Sequence, residues 1–499
     1  RNSKLENRNS NRHFLFSSFH FPFRLVMKLS LSEIAATLAA RTGAPDKVVL
    51  GYSIDSRTIL PHQLFFAIRG PRFDGHDFVG RALERGAAGA VVSNDFAAKA
   101  DSKAAPALIA VADPTRALQD LARAVRRKWG ERIIAITGSA GKTTTKELTA
   151  AILSRKFSVL KSPGNLNNYY GLPLALLALE PSHDVAVVEL AMSAAGEIAM
   201  LAGIAEPQIG VVTNVAPVHL QFFDSVDSIA RAKRELIENL SPPATAILNH
   251  DDLRVRQFAE GFKGRTITYG FDAGAAFRAG NYSTTPNHGS RFSVKAPMFE
   301  REFWLPLAGR HNVRNALAAI AASSNFEVPH EMVAEALAQP PTLHQRSEIL
   351  ALPGDVTVVN DSYNSNPLAM EQMLETLAAW PRAARRIVVA GEMLELGSTS
   401  PDLHRDIGRR CAERGVDCLL AVQGDAKFIV QGAVEAGLSP ERAFFFTKPE
   451  EAAERCLALL RPGDVVLVKG SRGEHLEKVI ELLQSSSEAL ASRSGPKGK

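Results

Sequence analysis

The chain has 499 residues, too many for one hydrophobic core, so two or three domains are expected. Apolar residues make up 45% and charged ones 22%, an ordinary globular composition, and no run of eighteen apolar residues occurs, which argues against a membrane-spanning helix. The net charge of +5 resides in the two ends: residues 1–26 hold five basic residues against one acid and residues 485–499 hold three against one, so the body carries no surplus that would suit nucleic acid.

The Arg- and Ser-containing, Phe-rich head, residues 1–26, reads either as a segment translated upstream of a start at Met27 or as an organelle transit peptide, in both cases outside the fold. Residues 27–112 mix helical stretches at 32–40 and 78–85 with strands at 64–68 and 90–92, a small α/β domain. Asp113-Pro114 opens a helix to Trp129, and strands at 133–137, 185–190, 209–213 and 246–248 then alternate with helices in a domain spanning 113–341. Such alternation builds a mostly parallel sheet with helices on both faces. Residues 265–307 switch to shorter, polar-interrupted segments that resemble antiparallel strands, before a helix at 312–323.

A break follows at Gln339-Pro340-Pro341-Thr342, beyond which strands at 357–360, 386–390, 418–422, 443–446 and 465–469 form a second doubly wound module, 342–484. The Ser/Gly/Lys tail, 485–499, is expected to be disordered. The expected class is therefore α/β in three domains: a small N-terminal α/β domain, a central P-loop-type domain with a mostly parallel sheet, and a C-terminal Rossmann-like doubly wound domain. Three cysteines, Cys411, Cys418 and Cys456, show no metal-ligand spacing and fit a reducing cytoplasm.

One segment carries most of the chemistry: the apolar run Ile133 to Ile136, the turn Thr137-Gly138-Ser139-Ala140-Gly141, then Lys142-Thr143-Thr144 opening a helix. The two glycines let successive N–H groups and the helix N-terminus face phosphate oxygens, Lys142 supplies a point charge and the Thr143 hydroxyl can ligate Mg²⁺. The spacing from Gly138 to Lys142 is two residues shorter than the usual phosphate loop. A nucleoside triphosphate is the implied ligand.

Other residues are ambiguous by themselves. Glu189 ends the apolar strand that begins at Val185, where a metal ligand or an ordinary ion pair is equally at home. His219 follows another strand end, as a ligand or a hydrogen-bonded structural residue. Lys233 lies in a charged helix beginning near Ser225 and reads as a surface lysine. Asn165-Leu-Asn167-Asn168 precedes a Leu-rich helix, either to bind ligand oxygens or to cap it.

Taken together and in this order, the motifs resemble the Mur ligase family, the ATP-dependent amide-forming enzymes of peptidoglycan precursor synthesis, over residues 28–484. The resemblance implies that Thr137 through Thr144 form the phosphate loop, that Asn165, Asn167 and Asn168 face substrate, and that Glu189 and His219 hold metal. It implies that Lys233 becomes carbamylated, turning a cation into an anion that helps hold a second Mg²⁺. Asn312 and Asn315 match the segment at the adenine end of ATP, and Arg346 the arginine that reaches toward phosphate. Asp361, Tyr363, Asn364 and Asn366, with Gly391 to Gly397, resemble segments of the dipeptide-adding branch. Ser53, Asp55, Ser56 and Arg57, with Asp74, Gly75 and His76, resemble the uridine-nucleotide-binding elements. Asn360 departs from the family's frequent Asp, and Asp224-Ser225 from its Gly-Ser.

The implied reaction uses ATP and Mg²⁺ to join D-alanyl-D-alanine to UDP-N-acetylmuramoyl-tripeptide through an acyl phosphate, with Lys142, His219, Lys233 and Arg346 as catalytic residues. A cytoplasmic monomer with no nucleic-acid partner and no integral membrane association is expected, its domains open before substrate binds. The alternatives are a ligase of the same family adding a single amino acid, and a P-loop nucleotide-hydrolysing switch.

Overall fold

A computed structural model describes residues 27–43, 46–100, 107–285 and 289–493; the head at 1–26 lies outside them. Ile133 to Ile136 are fully buried in the strand Arg132–Thr137. That strand lies between Val185–Glu189 and Ile209–Val212, paired in parallel with both. Successive residues serve opposite faces of the sheet: Ile133 and Ala135 enter one core, Ile134 and Ile136 the other. A parallel strand covered by helices on both sides needs such an unbroken apolar run.

Around this strand the central domain builds a nine-stranded sheet. Val159–Lys161 forms one edge, and Thr245–Asn249 and Arg265–Gly270 extend the other side in parallel. The expectation of antiparallel strands from 265 onward is corrected here: Arg265–Gly270 and the start of Phe277–Thr284 still pair in parallel, and only Phe277–Thr284, Ser290–Ala296 and Phe299–Leu305 form antiparallel pairs. Ile267 and Tyr269 are buried among the core residues of the preceding parallel strands, a role their polar neighbours conceal in the sequence. The helix Pro114–Trp129 starts as expected, with the Asp113 side chain accepting from Thr115 N at 2.8 Å, a cap typically worth about 1 kcal/mol.

In the N-terminal domain Leu108–Val111, Gly89–Ser93, Gln63–Phe66 and Gly51–Ser53 run parallel in that spatial order. The C-terminal sheet runs Val356–Asn360, Asp464–Lys469, Arg385–Gly391, Cys418–Val422 and Ala443–Phe446 in parallel. An antiparallel edge strand, Glu348–Leu352, was not foreseen. The helix Glu477–Arg493 runs past 485 into the tail expected to be disordered, since Glu, Ala, Leu and Arg in 488–493 are good helix formers, and 494–499 lie outside the described residues. The C-terminal domain touches the central one instead of standing open. Gln221 N donates to Glu395 O at 3.0 Å, and Gly309, at φ +96°, packs so closely that a Cβ there would lie 2.4 Å from Thr376 Oγ1.

Candidate active site

Three lysines, Lys146, Lys233 and Lys469, are among the largest fully buried side chains of the protein. A buried ammonium is rare unless something nearby compensates it, and the surroundings of each define the site.

Lys146 lies on the helix Lys142–Leu153, which opens from the phosphate loop. Its Nζ donates to Ser162 O at 2.6 Å and pairs with Glu147 Oε1 at 3.2 Å. It thereby ties the loop's helix to the segment that leads into Asn165, Asn167 and Asn168. Sequence reading missed this residue because it has no motif role; only tertiary burial reveals it.

The loop itself is shaped by its glycines. At Gly138, φ +146°, a Cβ would lie 1.8 Å from Thr213 Oγ1; at Gly141, φ +81°, it would lie 2.3 Å from Asn315 Oδ1. No L side chain fits either place. Thr213 Oγ1 donates to Ala140 O at 2.6 Å, while Ser139 N donates to Asn214 O and Ala140 N to Asn214 Oδ1, at 3.0 and 2.8 Å. Lys142 Nζ turns back to donate to Gly138 O at 2.8 Å.

Glu189, buried at its strand end, accepts from Thr143 Oγ1 at 2.7 Å and from Asn167 Nδ2 at 2.8 Å. Burial alone would raise its carboxyl; Lys142, then Lys146 and Arg346, outweigh that and hold it below the usual carboxylate range. Burial presses the Lys142 ammonium below the usual lysine range, Glu189 opposing and Arg346 adding to the shift. Arg346 comes from beyond the inter-domain break, so the C-terminal domain already contributes charge to the phosphate loop. No three His, Cys, Asp or Glu side chains converge as a metal-ligand set among the described residues. The Thr143 hydroxyl and ionised Glu189 nevertheless fit Mg²⁺, a hard cation that takes few protein oxygens and shares the rest of its shell with phosphate and water.

Lys233, on the helix Val226–Glu238, is 2% exposed and makes no described hydrogen bond or ion pair. It is not the surface lysine its charged neighbours suggest. Burial, with Lys142 nearby, takes its amine well below the lysine range, so the neutral form is favoured. His219 stands at φ +57° and its Nδ1–H donates to the Glu395 carboxylate of the C-terminal domain.

Lys469 pairs with Asp361 Oδ2 at 2.5 Å and donates to Asn364 O at 2.9 Å, while Asp361 Oδ1 accepts from Ser347 N at 2.8 Å. Arg346 and Arg472 both stand over the Tyr363 ring, at 3.9 and 4.9 Å. Asn366 caps the helix Pro367–Ala378, accepting from Ala369 N at 2.9 Å, and Asn168 Oδ1 accepts from Gly171 N at 2.9 Å, so these two amides serve the backbone. Asn312 Nδ2 donates to Ala308 O at 2.8 Å, and Asn315 Nδ2 reaches Asn312 Oδ1 at 3.4 Å beside Gly141. Burial drops the neighbouring His311 to about 4, a neutral imidazole that the sequence did not single out.

The N-terminal residues form two clusters of their own. Arg57 pairs with Asp55 at 2.7 Å, and Asp55 N donates to Ser53 Oγ at 3.1 Å, with Ser56 buried beside them. Asp74 accepts from His76 Nδ1 at 2.5 Å and from Arg69 Nε at 2.9 Å, and Ser93 N donates to His76 Nε2. These contacts leave His76 as the neutral Nδ1–H tautomer. Gly75 allows the chain to pass Ile68, whose N would lie 2.6 Å from a Cβ.

Models of the Mur ligase middle domain, the glutamate ligase domain and the Mur ligase catalytic domain match residues 136–323, 345–472 and 49–126. The chain is 32% identical to the UDP-N-acetylmuramoyl-tripeptide–D-alanyl-D-alanine ligase of Bacillus subtilis (strain 168), covering 92% of this chain and 98% of that protein. The chain belongs to the Mur ligase family. The Escherichia coli (strain K12) ligase of the same name is 33% identical, over 92% of this chain and 99% of its own length. Among solved structures of Mur ligases, MurF from Acinetobacter baumannii superposes with a TM-score of 0.84 at 29% identity, over 93% of this chain and all of that one. The Thermotoga maritima MurF ligase in complex with ADP superposes with a TM-score of 0.78 at 28% identity, over 88% and 98%. The three-domain α/β architecture expected for this Mur ligase is thus the one observed.

Proposed function

We propose that the chain is an ATP-dependent ligase that forms an amide bond between UDP-N-acetylmuramoyl-tripeptide and D-alanyl-D-alanine. The observation that carries this is the meeting of the glycine-shaped loop, Lys142 and the Thr143–Glu189 pair with Arg346 from the adjoining domain. Curated relatives with the matching name along almost their whole length support the substrate pair.

A carboxylate is a poor electrophile, so it must be activated before an amine can attack it. Attack of the tripeptide carboxylate on the γ-phosphorus breaks the bond to the β-phosphate bridge and releases ADP, leaving an acyl phosphate. Attack of the dipeptide amine on that carbonyl then forms the amide, expels inorganic phosphate and gives up the amine proton. Both steps gather negative charge beside the loop, where Lys142, released from Gly138 O, and Arg346 would stabilise it. When bound, Mg²⁺ held by Thr143 and Glu189 supplies Lewis-acid stabilisation of phosphate oxygens. Lys233 is set up for carbamylation: CO₂ adds to a neutral amine with loss of a proton, and burial keeps that amine neutral. His219 with carbamylated Lys233 would hold the second ion.

We assign residues 27–112 to the uridine nucleotide, 113–341 to ATP and 342–484 to the dipeptide. Asp55, Arg57, Asp74 and His76 would contact the first ligand, and Asp361, Tyr363 and Asn364 the last. A cytoplasmic monomer remains part of this reading; the three cysteines are buried and unpaired, and no described helix is long and apolar enough to cross a membrane. The test is product mass after incubation with ATP, Mg²⁺ and paired acceptors and amines. Product only with the tripeptide acceptor and D-alanyl-D-alanine is expected; product only with a single amino acid would overturn the assignment.

A further inference from the structure

His219 lies in the central domain and Glu395 in the C-terminal one, yet their side chains are bonded, Nδ1–H to carboxylate. The contact is continued by the backbone, Gln221 N donating to Glu395 O at 3.0 Å. Gly397, at φ +60°, closes over the same segment, so near that a Cβ would lie 3.2 Å from Gln221 Cα. Both bonded residues adopt the left-handed conformation, His219 at φ +57° and Glu395 at φ +66°. Non-glycine residues keep that conformation where surrounding contacts fix it, most often at functional sites. The acceptance of an Nδ1–H by a carboxylate fixes one tautomer and leaves the lone pair on Nε2, which makes no described hydrogen bond.

We propose that Glu395 is a positioning residue through which the C-terminal domain completes the cation-binding face of the central domain. Its carboxylate holds His219 in the Nδ1–H tautomer, so that Nε2 is a stronger cation ligand while the two domains are together. The cation site is thereby linked to domain closure, and activation of the acceptor is favoured in the state in which the C-terminal domain is in place. This rests on the proposed ligand role of His219.

Mn²⁺ added to the full-length protein with a non-hydrolysable ATP analogue and bicarbonate provides a readout other than turnover. Electron spin echo spectroscopy detects ¹⁴N coupling from a coordinated imidazole, and titration yields the affinity of the nitrogen-coordinated ion. His219→Ala should abolish the coupling. Glu395→Ala should weaken that ion 10- to 100-fold while leaving the nitrogen-free ion unchanged, and Glu395→Gln, which keeps an acceptor oxygen, should lose less. Coupling and affinity in Glu395→Ala equal to wild type, with His219→Ala still defective, would overturn the role of Glu395 and leave that of His219 standing. Undiminished coupling in His219→Ala would overturn both.

Discussion

Replacing Lys233 by Met tests whether the buried amine is neutral. The side chain is 2% exposed, has no described partner, and its amine lies well below the lysine range. In the unfolded chain the same amine titrates near 10.4. Below that value the unfolded chain therefore binds one proton that the folded chain does not, and stability rises with pH. The slope is about 1.4 kcal/mol per pH unit, and it ends downward at the folded value. Met has similar volume and no ionisable group, so the variant lacks this dependence, while other titrations cancel in the comparison. Urea unfolding of the central domain, measured without bicarbonate at pH 8.5 and 9.5, should show wild type gaining about 1.4 kcal/mol relative to Lys233→Met. At pH 7 the variant should be as stable as wild type or more so by about 1–4 kcal/mol, because an apolar group replaces a buried amine without a partner. A stability difference independent of pH would mean that the amine is charged in the fold, and the argument for its carbamylation would fail.

Glu189→Gln should retain ATP binding in the absence of Mg²⁺ by calorimetry and lose at least ~100-fold in Mg²⁺-dependent phosphate release, since it removes the anionic oxygen beside Thr143. Gly141→Ala places a Cβ 2.3 Å from Asn315 Oδ1 at φ +81°; the backbone term alone costs about 1–2 kcal/mol, so if the loop must regain its shape to bind, nucleotide affinity should fall at least ~5-fold in equilibrium dialysis. Glu474, raised to about 7 by burial and then by Glu392, binds a proton in the fold that the unfolded chain releases near 4.3. Its contribution is present at pH 5 and is lost as pH rises through 7. Glu474→Gln should therefore be stabilised relative to wild type at pH 8 by up to about 3 kcal/mol and change little at pH 5, in paired thermal or urea melts.

What could be read from the sequence was local chemistry. The loop at Gly138 and Gly141 requires glycine at two positions of one short turn, and Glu189 announces itself at the end of a continuous apolar strand. Both need only neighbours in the chain. Lys146 and Lys233 could not be placed in this way, because each sits in a polar stretch of helix and its burial is decided by what the other face packs against. Lys469 ends an apolar strand, but its partner Asp361 is brought to it by the parallel sheet from more than a hundred residues away. The bond between His219 and Glu395 likewise depends on how two domains meet, which no periodicity encodes. Arg265–Gly270 was misjudged because polar residues alternate with Ile267 and Tyr269, a pattern shared by antiparallel strands and by the last parallel strands of a sheet.

Isotope transfer tests the central claim most directly. UDP-N-acetylmuramoyl-tripeptide labelled with ¹⁸O in its terminal carboxylate, incubated with ATP, Mg²⁺, D-alanyl-D-alanine and the protein, should release inorganic phosphate carrying one labelled oxygen, with none in ADP. Amide product accompanied by unlabelled phosphate would contradict carboxylate activation by phosphoryl transfer at the Lys142 loop.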